Sequence, residues 1–124
     1  MFQLTSVFRG YRAIDNLLLA FQARNGHSFS FWRDGRKDRA LREAAMALLG
    51  RVGIGDRAEV KAGALSHGEQ RQLELAMVLA GNPRLLLLDE PTAGMGIEET
   101  ERMVELLSTL KGDYSVLLVE HDMD

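Results

Sequence analysis

The segment Arg84-Leu85-Leu86-Leu87-Leu88-Asp89-Glu90-Pro91-Thr92 constrains this chain more than any other. An apolar run this short, bounded by Asn82-Pro83 and Glu90-Pro91, predicts a strand buried on both faces. Buried strands of that kind belong to parallel sheets, whose ligands lie beyond the carboxyl ends of the strands. The run therefore delivers Asp89 and Glu90 to the edge where such sheets do their chemistry. An acidic residue at a strand end can hold Mg²⁺, usually through water, because that ion keeps much of its hydration shell. The next carboxylate can polarise an attacking water. On these residues alone two accounts stand: a nucleotide triphosphate site, or a buried strand that ends in a solvated acidic turn.

Upstream, Leu65-Ser66-His67-Gly68-Glu69-Gln70-Arg71 precedes a helix-like run, Gln72 to Ala80. Ser66 and Glu69 stand at S-x-x-E spacing, a capping box that gives both a structural role. The same geometry suits phosphate, because a helix start presents free backbone N–H groups and about half a positive charge. Gly68 lets a backbone approach closely, and His67 reads as solvated. Downstream stand Ala93-Gly94-Met95-Gly96 and Glu120-His121-Asp122-Met123-Asp124. The last five could pass for a metal cluster. Their spacing is not that of helical ligand pairs, and by themselves they read as a solvated strand end.

Together these motifs, in their order and spacing, resemble those of ABC ATPases. Residues 65–71 resemble the LSxGEQ signature, and the leucine run with Asp89-Glu90-Pro91-Thr92 resembles the Walker B segment. Ala93, Gly94, Met95 and Gly96 fall at the D-loop, His121 at the switch histidine, and Phe2-Gln3 at the end of the Q-loop. The resemblance implies an α/β fold, a partial P-loop NTPase. Residues 1–83 would hold the Q-loop end and a helical subdomain, and residues 84–124 a βαβ remnant of the parallel-sheet core. It implies ATP and Mg²⁺ as cofactors. Asp89 would hold the ion through water with Gln3 in reach, and Glu90 would be the general base. His121 and Gln3 would position water and sense the γ-phosphate. Ser66, His67, Gly68 and Glu69 would meet the nucleotide of a second ATPase subunit.

No G-x-x-x-x-G-K-[ST] phosphate loop occurs among the 124 residues. The chain therefore reads as a fragment that starts inside the Q-loop and stops just after the switch histidine. Such a fragment is expected to be inactive alone. It is also expected to self-associate through the flat apolar edge at Ser115 to Val119.

Within the family, residues 65–74 and Pro91-Thr92-Ala93-Gly94-Met95 look like the importers of branched-chain amino acids, with urea importers close behind. That implies transmembrane permease subunits as partners, a solute-binding protein indirectly, and a place at the cytoplasmic face of the membrane. A chromosome-associated or DNA-repair ATPase of the same family would carry a long coiled coil before the signature, and no sustained heptads lie between Gln3 and Ser66. A non-catalytic binding module is the other class open to a chain without a phosphate loop. The net charge of −3 supplies no basic field for nucleic acid. There is no cysteine, and no apolar run approaches the length of a membrane span. Met1-Phe2-Gln3 does not open a signal peptide.

The remaining periodicity predicts helices. Ile14, Leu17, Leu18 and Phe21 share one face of a helix over residues 12–24, stopped by Asn25-Gly26. Leu41, Ala44, Ala45, Leu48, Leu49 and Val52 mark a second over residues 35–52, ended by Gly53. Arg36, Lys37, Asp38, Arg39, Arg42 and Glu43 read as its solvated start. Phe29, Phe31 and Trp32 form an aromatic loop, either a cover for the helix ends or a partner surface. A third helix spans residues 97–111, with Ile97, Thr100, Val104, Leu107 and Leu110 expected on its buried side. Residues 114–119 are a second apolar strand, completing a right-handed strand-helix-strand unit.

Overall fold

The structure, a computed structural model, describes residues 7–25, 35–81, 85–89, 92, 94–111 and 115–119. Among them are four α-helices and two strands: α1 (Ala13–Asn25), α2 (Gly35–Arg51), α3 (His67–Ala80), β1 (Leu85–Asp89), α4 (Ile97–Leu110) and β2 (Ser115–Val119). Two 3-10 turns, Gly55–Arg57 and Ala62–Ala64, join α2 to α3. None of the described helices is long and apolar enough to cross a membrane.

α1 packs against both α2 and α3, and α2 against α3. The predicted face of α1 holds: Ile14 and Leu17 are completely buried and Phe21 nearly so, with Leu18 partly buried at its margin. α1 does not begin in isolation. The first amides of any helix lack intrahelical acceptors, and here Ala13 N–H donates to Val60 O at 2.9 Å and Ile14 N–H to Ala58 O at 3.0 Å. An antiparallel bridge between Arg12 and Lys61 continues the contact. Arg12 also pairs with Asp15 at 2.8 Å and with Glu59 at 2.8 Å. Arg42 on α2 reaches the same Glu59 at 3.5 Å.

α2 ends as its glycine predicts. Gly53 has φ +89, a conformation that residues with a Cβ rarely adopt. Its N–H donates to Gly50 O at 3.1 Å while Ile54 N–H donates to Leu49 O at 2.8 Å. This pair of bonds is a Schellman motif, and it satisfies two carbonyls of the last turn. Ile54 and Leu49 are both buried.

α3 is apolar almost all round, and Leu73, Leu75, Ala76, Met77, Val78, Leu79 and Ala80 are all buried. Fully burying a leucine-sized side chain contributes about 1.5–3 kcal/mol, so α3 is the centre of the core. β1 and β2 pair in parallel, Leu85 with Ser115 through Asp89 with Val119, with α4 between them in the chain. The strand-helix-strand expectation is met in its elements and their parallel pairing.

α4 departs from expectation in its face. Its buried residues are Met103, Leu106, Leu107 and Leu110, whereas Ile97 is 81% and Val104 53% exposed. The buried set keeps the i, i+3, i+4, i+7 pattern and shares Leu107 and Leu110 with the predicted stripe, but Met103 and Leu106 take the places expected for Ile97 and Val104. The four buried side chains join the same apolar cluster as α1, α2 and α3.

Candidate functional site

Ser66 is the N-cap of α3, with φ −64 and ψ 166. Its Oγ accepts from Glu69 N–H at 3.2 Å, and Glu69 Oε1 accepts from Ser66 N–H at 2.9 Å. The capping box is therefore complete. Gln70 N–H donates to Ser66 O at 2.9 Å, the first bond of the helix. By helix geometry the amides of His67 and Gly68 lie ahead of that first bond, at the positive end of α3. Gln70 Nε2 donates back to Ala62 O at 3.1 Å, tying the turn to the segment before it. Arg57 contacts the free side of Glu69, Nε to Oε2 at 3.1 Å. The Ser66 amide, and after it the nearby Arg57 charge, hold the Glu69 carboxyl below its ordinary range despite partial burial.

A second turn faces this one. Met95 N–H donates to Thr92 O at 3.1 Å and closes the chain between β1 and α4. Gly94 within it has φ +78. A Cβ on Gly94 would stand 3.0 Å from Nε2 of His67. His67 is exposed as predicted, and its imidazole lies against that glycine. Gly96 caps α4 in extended conformation, φ −72 and ψ 176, and accepts from Thr100 N–H at 2.9 Å. Glu98 and Glu99 then fill the first turn of α4. Glu99 folds back over the start of α3. A Cβ on Gly68 would overlap its Oε2 and come within 2.7 Å of its Cδ. The two turns thus meet at two glycines, Gly68 on one and Gly94 on the other. Beside them opens a cleft of about 490 Å³, lined by Arg51, Gln72 and Glu105 as well as Ser66, Met95 and Glu99.

The structure brings together Ser66, His67, Gly68 and Glu69 with Gly94, Met95 and Gly96. It places Asp89 at the carboxyl end of β1, opposite Val119, the sheet edge that the leucine run predicts. Gln3, Glu90, Ala93 and His121 lie outside the described residues, as do Phe29, Phe31 and Trp32. Among the described residues no group of three or more histidines and acids could hold a metal ion.

Two residues at the site, and one on α1 away from it, escaped the sequence reading. Glu99 is one of two acids in the first turn of α4, where any acid favours a helix start. Arg57, in a segment with no clear period, gave no sign that it contacts the signature glutamate. Asn16 sits within the helical pattern of α1 and is completely buried. Its Oδ1 accepts from Phe8 N–H at 2.7 Å, and its Nδ2 donates to Phe8 O at 3.2 Å and Arg12 O at 3.0 Å. A polar residue at a buried-face position was the available signal.

The family profile for ABC transporters matches residues 1–93. The high-affinity branched-chain amino acid transport ATP-binding protein LivG of Escherichia coli is 36% identical over 129 residues, covering 98% of this chain and 51% of that protein. The protein of the same description called BraF, from Pseudomonas aeruginosa, is 36% identical over 130 residues with the same coverage. The lipoprotein-releasing system ATP-binding protein LolD 2 of Rhodospirillum rubrum is 34% identical, covering 98% of this chain and 50% of that one. The chain therefore spans about half the length of the curated relatives it matches. Among solved structures, the ATP-binding cassette MJ1267 of an ABC transporter superposes with a TM-score of 0.80 at 22% identity, over 98% of this chain and 51% of that one. The dimeric cassette MJ0796, bound to ADP and Pi, superposes with a TM-score of 0.76 at 24% identity, over 98% and 52%. At those identities the likeness is one of fold.

Proposed function

This chain belongs to the ABC transporter family of ATP-binding proteins, and from that premise we propose that it forms the signature-to-switch half of an ATP-hydrolysing subunit that drives uptake of branched-chain amino acids. The observation that carries the proposal is the signature turn itself. Its capping box fixes the start of α3, and that start presents the amides of His67 and Gly68 at the positive end of the helix. An incoming phosphate would be held there by backbone groups and by the helix dipole, with no reorganisation at the moment of reaction. By the resemblance to ABC ATPases, that phosphate would belong to a nucleotide carried by a second subunit. The turn at 94–96 lies alongside and would face the same partner.

In the reaction, the roles fall to Glu90 and His121, which follow the two strands in sequence, and to Asp89 and Gln3. Glu90, next after β1, takes the proton of the attacking water, and His121 with Gln3 orients that water. Mg²⁺ suits the hard oxygen of Asp89, and when bound it neutralises charge on the nucleotide. A phosphate loop, which these 124 residues do not contain, must complete the pocket, so the chain by itself hydrolyses no ATP. The choice of branched-chain amino acids rests on the likeness to LivG and BraF, whose descriptions name their transport, and the uptake direction on the resemblance of residues 65–74 to the importers. For a permease partner the structure offers an apolar patch: Phe8 and Tyr11 stand 55% and 53% exposed with ring centroids 5.8 Å apart, beside Leu19 on α1. It follows directly on the segment that holds Gln3 and would dock an apolar helix at the cytoplasmic face.

The test is hydrolysis by the subunit that carries this segment. Glu90→Gln is expected to lower turnover by about 10²–10⁴-fold, the range for a lost general base, with ATP binding retained. Turnover near normal would remove Glu90 from the role.

A further inference from the structure

Gly68 invites explanation as the point where a phosphate approaches the backbone. The chain shows a second demand on the same atom. The place a side chain would occupy at Gly68 is already filled by the carboxyl group of Glu99, from the first turn of α4. Glu99 Oε2 is buried there without a hydrogen-bond partner. Buried polar atoms are nearly always paired, so an exception calls for a reason. The surroundings supply one, because the positive end of α3 favours a carboxylate beside its first turn even without a formal bond. Nearby, the left-handed Gly94 leaves room for the ring of His67. The contact is thus one of two fitted points between the same pair of turns.

We propose that Glu99 is a positioning residue for the signature turn: its carboxyl group fills the notch left at Gly68 and sets the spacing between α3 and the turn that precedes α4. Gly68 leaves the space that this chain's own Glu99 carboxyl occupies, whatever a nucleotide also requires. Phosphate capture is no part of the argument. Its failure would leave the pairing intact, and failure of the pairing would leave the proposed hydrolysis open.

The pairing is tested in the subunit that carries this segment by urea unfolding and by amide resonances of residues 94–100. Gly68→Ala is expected to lower the unfolding midpoint and to displace those resonances. Glu99→Ala alone should keep a folded chain. In the Gly68→Ala background, Glu99→Asp, which keeps the charge and shortens the side chain, should recover at least half of the lost midpoint and return the resonances toward their original positions. Gly94→Ala, strained by its backbone, should gain nothing from Glu99→Asp. If Gly68→Ala leaves the α4 resonances in place, the proposal falls. It falls equally if the damage, up to complete unfolding, is relieved neither by Glu99→Asp nor by Glu99→Ala.

Discussion

Asn16 closes the entry to the helical part of the molecule with one amide, holding both the N–H and the carbonyl of Phe8. Asn16→Ala would remove the partner of those part-buried groups, at a cost of up to about 1–3 kcal/mol for each one that water does not reach. The measurement is the shift in unfolding free energy, and a change below experimental error would show that water replaces the amide. This residue was not legible in the sequence, since its partners come from a loop without periodicity and a lone asparagine resembles any polar helix position. Ser66 and Glu69 were legible, because a capping box is a local pattern with both partners three residues apart. Glu99 was half legible: its acid at a helix start has a local meaning, but its contact with Gly68 depends on how two distant turns meet.

α3 and α4 show where reading elements from sequence succeeds and where it slips. On α3, Leu73 and the run from Leu75 to Ala80 put apolar groups round most of the helix, a pattern that by itself implies the burial observed. On α4, apolar residues at 97, 103, 104, 106, 107 and 110 allow two overlapping stripes, and only packing chooses between them. Val104→Ser is accordingly expected to change stability by no more than about 0.5 kcal/mol, whereas Leu107→Ala should cost about 2–5 kcal/mol. Equal losses in denaturant unfolding would contradict the assigned face. At the start of α3, Ser66→Ala should cost about 0.5–2 kcal/mol. The contribution of Glu69 carries a pH signature. Its folded carboxyl titrates below the ordinary value, so its stabilisation is complete above the unfolded carboxylate range and fades as pH falls through the lowered folded value. Glu69→Gln should flatten that part of the acid limb. An acid limb identical to that of the original chain would show that the capping carboxylate does not differ between folded and unfolded states.

For the molecule as a whole, the parallel pair and the helical layer were legible because leucine and valine runs and Gly or Pro stops are strong local signals. The closure of α1 by residues 58–60 was not, because nothing local announces it. Among the described residues β2 pairs only with β1. Its apolar Val116, Leu117, Leu118 and Val119 carry no charge or proline to guard the other edge. The isolated chain is expected to self-associate at micromolar concentration, as light scattering would report. A persistent monomer, with slow hydrogen exchange across residues 115–119, would mean the edge is covered from within. The bonds from Ala13 and Ile14 to Val60 and Ala58 also bear on the order of events at the ribosome. α1 cannot settle its opening turn until the chain beyond α2 has been made, so α1 and α2 must wait as loosely formed neighbours. The segment just ahead of the signature arrives and fastens them together, and from then on the helical part holds or unravels as one unit.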